Sequence, residues 1–208
     1  MKSFVNPFTR VSALLAVAGL LAASQALAAD IFKAANVNAL NVGTSWYTNV
    51  PPTQNIPGAS DIAVWSLTTG NPTAAQCRNA PLGASASWAG IRLEAPRGSV
   101  IITNSSPQQL TLGASGISIA SGTSDLILGF NVTVDLGASQ TWDALSDSIL
   151  ITNVLSGAWG KDLTIVNPSG TASSFGKVRL QAANTFSGQV FHSGGYLYLA
   201  AVPMVGRP

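Results

Sequence analysis

From Ser85 onward the chain alternates apolar and polar residues in short bursts: "WAGIRLEA", "SVIITN", "QLTLGASGISIA", "LILGFNVTVDL", "SILITNVL", "DLTIV", "KVRLQA" and "YLYLA". Each burst sets Val, Ile or Leu between polar residues and stops at Gly, Ser, Asn or Pro. Period-two alternation bounded by turn residues predicts half-buried strands, and no window keeps a helical period long enough to compete. The bursts are too short and too numerous for strands alternating with helices. Upstream the texture is irregular. Pro51, Pro52, Pro57 and Pro72 interrupt the stretch before Ala80, and proline rules out long helices and central strands there. Within it only "DIAVWS", residues 61–66, alternates, which predicts one short strand. Trp46, Tyr47 and Trp65 offer large apolar surfaces that a loop-rich cap can pack.

"LTLGASGISI" (110–119) and "LILGFNVTV" (126–134) share the pattern Leu-x-Leu-Gly, starting at Leu110 and again at Leu126. Later strand centres fall at Leu150, Thr164, Arg179 and Tyr198, the first three evenly spaced and the last after a longer step. Recurrence of this kind predicts a β-solenoid, because one coil cannot bury its own inward face and stacked coils can. A β-sandwich is the alternative, since regular turn signals suit it as well. Asn104, Asn131, Asn153, Asn167 and Asn184 lie at or near strand ends. Asn tolerates left-handed backbone and bonds locally, so these residues predict coil corners and not ligand contacts.

The N-terminus changes the charge picture. Lys2 and Arg10 precede an apolar run from Val11 to Ala23, followed by Ala26-Leu27-Ala28. Residues 1–29 therefore have the form of a secretory signal peptide cut after Ala28 or Ala29, which implies a secreted or cell-envelope protein. The apolar run is shorter than the roughly 20 residues of a membrane span, so no span is expected in the mature chain. The whole chain carries ten Lys and Arg against eight Asp and Glu. Loss of Lys2 and Arg10 brings the balance to zero, which removes any basic footprint for nucleic acid. Hydrophobic residues make up 47% of the chain, enough for a packed core despite only 9% charged residues. Cys77 is the one cysteine, so no internal disulfide framework exists.

Candidate chemistry is sparse. Carboxylates that could serve a glycan-active groove are Asp135, Asp143 and Asp147, the last two close together in the chain. No calcium loop or glycine-aspartate nonapeptide accompanies them, and solvated turn residues are the plainer reading. His192 is the single histidine. It has no second ligand or triad partner in an evident pattern, so a turn or strand-face position is expected for it. Trp88, Trp142 and Trp159 could stack on sugar rings, but core or cap positions are expected of them. Neither catalysis nor a cofactor is expected.

One stretch is more specific. "LQAANTFSGQVFHSGGYLYL", residues 180–199, resembles the autotransporter-associated β-strand repeat, also called the passenger-associated transport repeat. The matching positions are Leu180, Asn184, Thr185, Phe186, Ser187, Gly188, Gly194, Gly195, Leu197 and Leu199. "KDLTIVNPSG" (161–170) is similar to a preceding coil, with Val166-Asn167-Pro168 where the family has a glycine-rich turn. "SWAGIRL" (87–93) and "GASQTWDA" (137–144) are similar to the family's leading coils. The resemblance implies a right-handed parallel β-helix that is exported and displayed or released. The resulting layout is a signal peptide (1–29), a proline-rich N-terminal cap (30–84), a solenoid (85–200) with one clear repeat at 176–200, and a tail (201–208). Family members generally carry many repeats followed by a barrel or a sorting tail, so this chain reads as a short secreted form or a truncated relative. The expected role is a non-catalytic structural or adhesive module. Expected partners are an extracellular glycan or surface, and a second copy through the edge of the C-terminal coil. A carbohydrate-binding or polysaccharide-degrading β-helix is the alternative.

Overall fold

In a computed structural model, residues 28–48, 54–120, 125–145, 147–166 and 176–199 are described. The chain is a β-solenoid: short strands stack in parallel, coil upon coil, around one apolar column. The chain opens with β1 (Ala29–Lys33), β2 (Trp46–Thr48), β3 (Asp61–Ser66) and β4 (Ala80–Pro81). The long β5 (Ala86–Glu94), β6 (Val100–Thr103), β7 (Gln108–Ile119) and β8 (Leu126–Leu128) follow. Next come β9 (Val132–Leu136), β10 (Gln140–Asp143), β11 (Ser148–Ile151) and β12 (Leu155–Gly157). The last are β13 (Leu163–Val166), β14 (Lys177–Leu180), β15 (Val190–His192) and β16 (Tyr196–Leu199).

Two sheets result. The smaller runs β16-β14-β11-β8-β6-β4, every neighbour parallel. The larger runs β15-β13-β10-β7-β5-β3-β1-β2, with β9 and β12 stacked beside the first half of β7. The parallel pairing throughout the stack rules out the sandwich alternative, which needs antiparallel sheets. Only β1 and β2, among the described strands, pair antiparallel. Regular stacking also starts earlier than the change of texture at Ser85. β1 pairs with β3 and β3 with β5, so part of the proline-rich stretch already belongs to the ladder. Pro51, Pro52 and Asn167 lie outside the described residues.

The length of a coil differs from the spacing read along the sequence. Leu110 pairs with Val134, and Leu126 with Ile149. The Leu-x-Leu-Gly recurrence instead links β7 to β8, which belong to different sheets and do not pair. It measures the step from one face of a coil to the next, not the longer step from coil to coil. "LILGFNVTVDL" likewise divides into β8 and β9 at Gly129–Asn131, and Asn131 takes a left-handed φ of 59° at that corner. β7 bends within its length. Its first half pairs with β9 and its second half with β10. The change of partner falls between Leu112 and Ile117, where the register against β5 also shifts, and Gly116, φ 60°, sits where a Cβ would strike the Thr141 carbonyl of the next coil.

Alternation then sorts the side chains. Val100, Ile102, Leu126, Leu128, Ile149, Ile151, Val178 and Leu180 point inward along the smaller sheet and are all buried. Ile91, Leu93, Ile117, Ile119, Trp142, Leu163 and Ile165 do the same along the larger. The N-terminal end of the column is closed. Trp46, from the antiparallel β2, sits edge-on to Trp65 at 5.4 Å and to Trp88 at 5.7 Å. Its indole N–H donates to the Leu40 carbonyl at 2.6 Å. A short helix, α1 (Ala74–Arg78), packs on β6 with Cys77 buried beneath it. Its start is fixed by a capping box between Thr73 and Gln76, a Thr-x-x-Gln signature present in the sequence.

Candidate functional site

The acidic residues bond to different partners. Asp135, on β9, accepts the Ser156 hydroxyl at 2.9 Å from the next coil. Asp143, at the end of β10, accepts the Leu145 backbone N–H at 3.0 Å. Asp147 lies in the turn before β11, where its backbone oxygen takes the Lys177 N–H. The Asp135 and Asp143 carboxylates are thus engaged in local bonds on different strands. Among the described residues no group of three or more His, Cys, Asp or Glu is placed to hold a metal ion.

His192 is a strand residue, not a turn residue. In β15 it pairs with Ile165, and Val190 pairs with Leu163, so both occupy the inward register of the column. They remain exposed because β15 forms the last described rung.

The repeat-like stretch builds that rung. Asn184 Oδ1 accepts the Leu155 N–H at 3.0 Å, and the Thr185 N–H donates to the Leu155 carbonyl at 2.9 Å. The Ser187 N–H reaches the Gly157 carbonyl. Phe186 packs partly buried against the core. Gly188 lies so close to the Lys161 carbonyl that no Cβ fits, and Gly195 turns with φ 77°. Gly194 precedes it in the same bend. Leu180 is buried and pairs with the exposed Leu199, while the partly buried Leu197 pairs with Val178. A similar corner recurs earlier: Asn104 Oδ1 accepts the Gly83 N–H at 2.9 Å, and Asn131 donates to the Asn104 carbonyl at 3.2 Å. Ala28 and Ala29 stand at the start of the described chain, and residues 1–27 and 200–208 lie outside it.

Two environments stand out beyond those expected. At the closed end Lys33 is fully buried. Its ammonium donates to the Ala34 and Asn36 carbonyls at 2.8 Å each and to Asn36 Oδ1 at 3.0 Å. Burial lowers its pKa to about 8, with the charge of Cys77 pulling the other way. Burial pushes the Cys77 thiol up. At the other end, large apolar side chains of the last rung stay open to solvent on both faces: Val190, Phe191, Tyr196, Tyr198 and Leu199 are all more than a third exposed. Beside them lies a cleft of about 580 Å³ lined by Arg179, Leu180, Gln181, Tyr198 and Leu199. Arg179 places its guanidinium 5.1 Å from the centre of the Tyr198 ring, and Tyr196 stacks on Tyr198 at 6.2 Å. In the sequence, the alternation of "KVRL" and "YLYL" is the only signal for this face. It shows that Lys and Arg share a side of one strand and the tyrosines a side of another, but not that the strands are neighbours. Of the three tryptophans considered for sugar stacking, Trp88 and Trp142 are buried and Trp159 is 87% exposed.

No family model, no curated protein and no solved structure matches this chain. Among the described residues no helix is long and apolar enough to cross a membrane.

Proposed function

We propose that the chain is a non-catalytic, secreted or cell-surface β-helical module with a structural or adhesive role, resembling an autotransporter passenger segment. The observation that carries the reading is the unequal treatment of the two ends. The N-terminal end is closed by Trp46, the antiparallel β2 and a buried Lys33. At the other end, among the described residues, β15 and β16 each pair on one side only, and inward-register Val190, His192 and Leu199 are exposed. An unpaired edge with apolar side chains favours strand addition, so this rung joins the module to a second copy. Export agrees with the position of β1, which starts at Ala29, the residue a cut after Ala28 would expose.

Sedimentation velocity of the mature chain over a wide concentration range tests the pairing. Self-association is expected, and Leu199→Lys, a charge at an exposed inward position, is expected to abolish it. A strictly monomeric chain at high concentration would overturn the pairing. Export is checked by N-terminal sequencing of the protein outside the cytoplasm, with Ala29 or Asp30 expected as the first residue. Retention in the cytoplasm with residues 1–29 intact would sink the localisation.

A further inference from the structure

We propose that the outer face of the last two rungs of the smaller sheet, centred on Arg179 and Tyr198, binds an acidic polysaccharide through its uronate groups. Val178 and Leu180 face the core, so Lys177 and Arg179 stand outward on β14. On β16 the outward positions are Tyr196 and Tyr198. Register sets Lys177 beside Tyr196 and Arg179 beside Tyr198. The face therefore repeats one unit, a cation next to a phenol, at every second position along the strand, about 7 Å.

The arrangement is ordered before any ligand arrives. The guanidinium lies 5.1 Å from the Tyr198 centroid, and the Tyr196 ring follows at 6.2 Å with 30° between the planes. Cation–π contact restrains the long arginine side chain and leaves its N–H edge free to take a carboxylate in a two-pronged bond. Both tyrosines are nearly half exposed, at 47% and 46%. They offer apolar ring surface to the C–H side of a sugar, and the exposed Gln181 offers an amide to its hydroxyls. The adjoining cleft of about 580 Å³ has the size of a small-ligand site.

Charge favours an anion. No lining residue of the cleft is acidic. The preceding rung presents Ser148 and Leu150 alongside Lys177 and Arg179. The carboxylates at that rung belong to Asp147, in the turn before Ser148, and to Asp125, whose Oδ1 accepts the Ser148 N–H at 2.8 Å; both lie at the Lys177 end and not beside Arg179. On a mature chain whose charges sum to zero, a cationic, aromatic face is a local feature and not a bulk one. The inference goes beyond the scaffold reading and does not require it. Pairing at the terminal edge uses the backbone and the inward side chains of the last rung, Leu199 among them, whereas the proposed site is centred on the outward side chains of Arg179 and Tyr198.

Calorimetric titration of the full mature chain with three probes tests the proposal: polygalacturonate oligomers, their fully methyl-esterified form, and poly-glutamate. Polygalacturonate is expected to bind, and to bind more weakly as salt is added. The neutral ester and poly-glutamate are each expected to bind at least about tenfold more weakly, the loss that follows from one charge-assisted contact. Arg179→Ala and Tyr198→Ala are expected to reduce affinity by a similar factor. Arg179→Lys is expected to restore only part of it, since an ammonium cannot fork onto a carboxylate. Arg78→Ala, which removes an equal charge from the exposed side of the helix at the other end, is expected to leave binding unchanged. Circular dichroism confirms the fold of each variant, and Arg179→Ala, at an exposed outward position, guards against misfolding of the tyrosine variant. Equal binding of the ester or of poly-glutamate, equal loss in Arg78→Ala, or no binding of polygalacturonate would each overturn the proposal.

Discussion

Lys33 makes stability depend on pH in an unusual direction. Its ammonium is buried at the closed end and held by three oxygen acceptors, yet desolvation brings its pKa from 10.5 down to about 8. An unfolded lysine titrates near 10.4. Between these values the unfolded chain holds a proton that the folded chain has lost, so stability rises with pH. Integrated from about pH 7 to about pH 9.5, the gain is roughly 2 kcal/mol. Cys77 acts in the opposite sense. Burial raises its pKa, so above about pH 8.5 the unfolded thiol ionises while the folded one stays protonated, and stability falls. Tyr47, also raised by burial, opposes the gain only near and above about pH 10. The clean experiment is therefore urea unfolding of Cys77→Ala, followed by tryptophan emission, at about pH 7, 8.5 and 9.5. The expected result is a rise of about 2 kcal/mol, and Lys33→Met in the same background is expected to flatten it. A flat or falling profile in Cys77→Ala, or a rise that survives Lys33→Met, would refute the reasoning.

At Gly188 a methyl group meets the Lys161 carbonyl of the coil before it. Gly188→Ala is expected to cost about 1–3 kcal/mol, with faster hydrogen exchange confined to residues 182–199. Ile149 is fully buried in the column while Leu150 faces outward and is half-buried. Ile149→Ala is expected to cost about 2–5 kcal/mol and Leu150→Ala less than about 1 kcal/mol in chemical denaturation; equal losses would contradict the assigned faces. Trp159 is 87% exposed while Trp46, Trp65, Trp88 and Trp142 are buried. Acrylamide is expected to quench one accessible fraction of the emission, and Trp159→Phe to remove that fraction.

Some of this architecture is legible in the linear pattern for a simple reason. Strand alternation is a local property, and segments as short as "VIIT", "LTIV" and "KVRL" carry it. The corner asparagines are equally plain, since Asn131 in a left-handed turn needs only its own backbone to explain it. The capping box of α1 is also present as Thr73 and Gln76. A helix so short shows no period, however, and it depends on its packing on β6 and the burial of Cys77.

By itself, then, the sequence determined that this chain forms many short strands with one apolar side, broken by glycine and asparagine corners. It did not determine which strand lies on which, because pairing partners sit a full coil apart along the chain. Leu197 lies on Val178 and Val178 on Ile149, with other strands and corners between each pair. The tertiary structure decided that coil length, the inward register of His192, the burial of Lys33 among carbonyls, and the meeting of Arg179 with Tyr198. Each of these depends on how segments distant in the chain pack together, and no local period encodes such contacts.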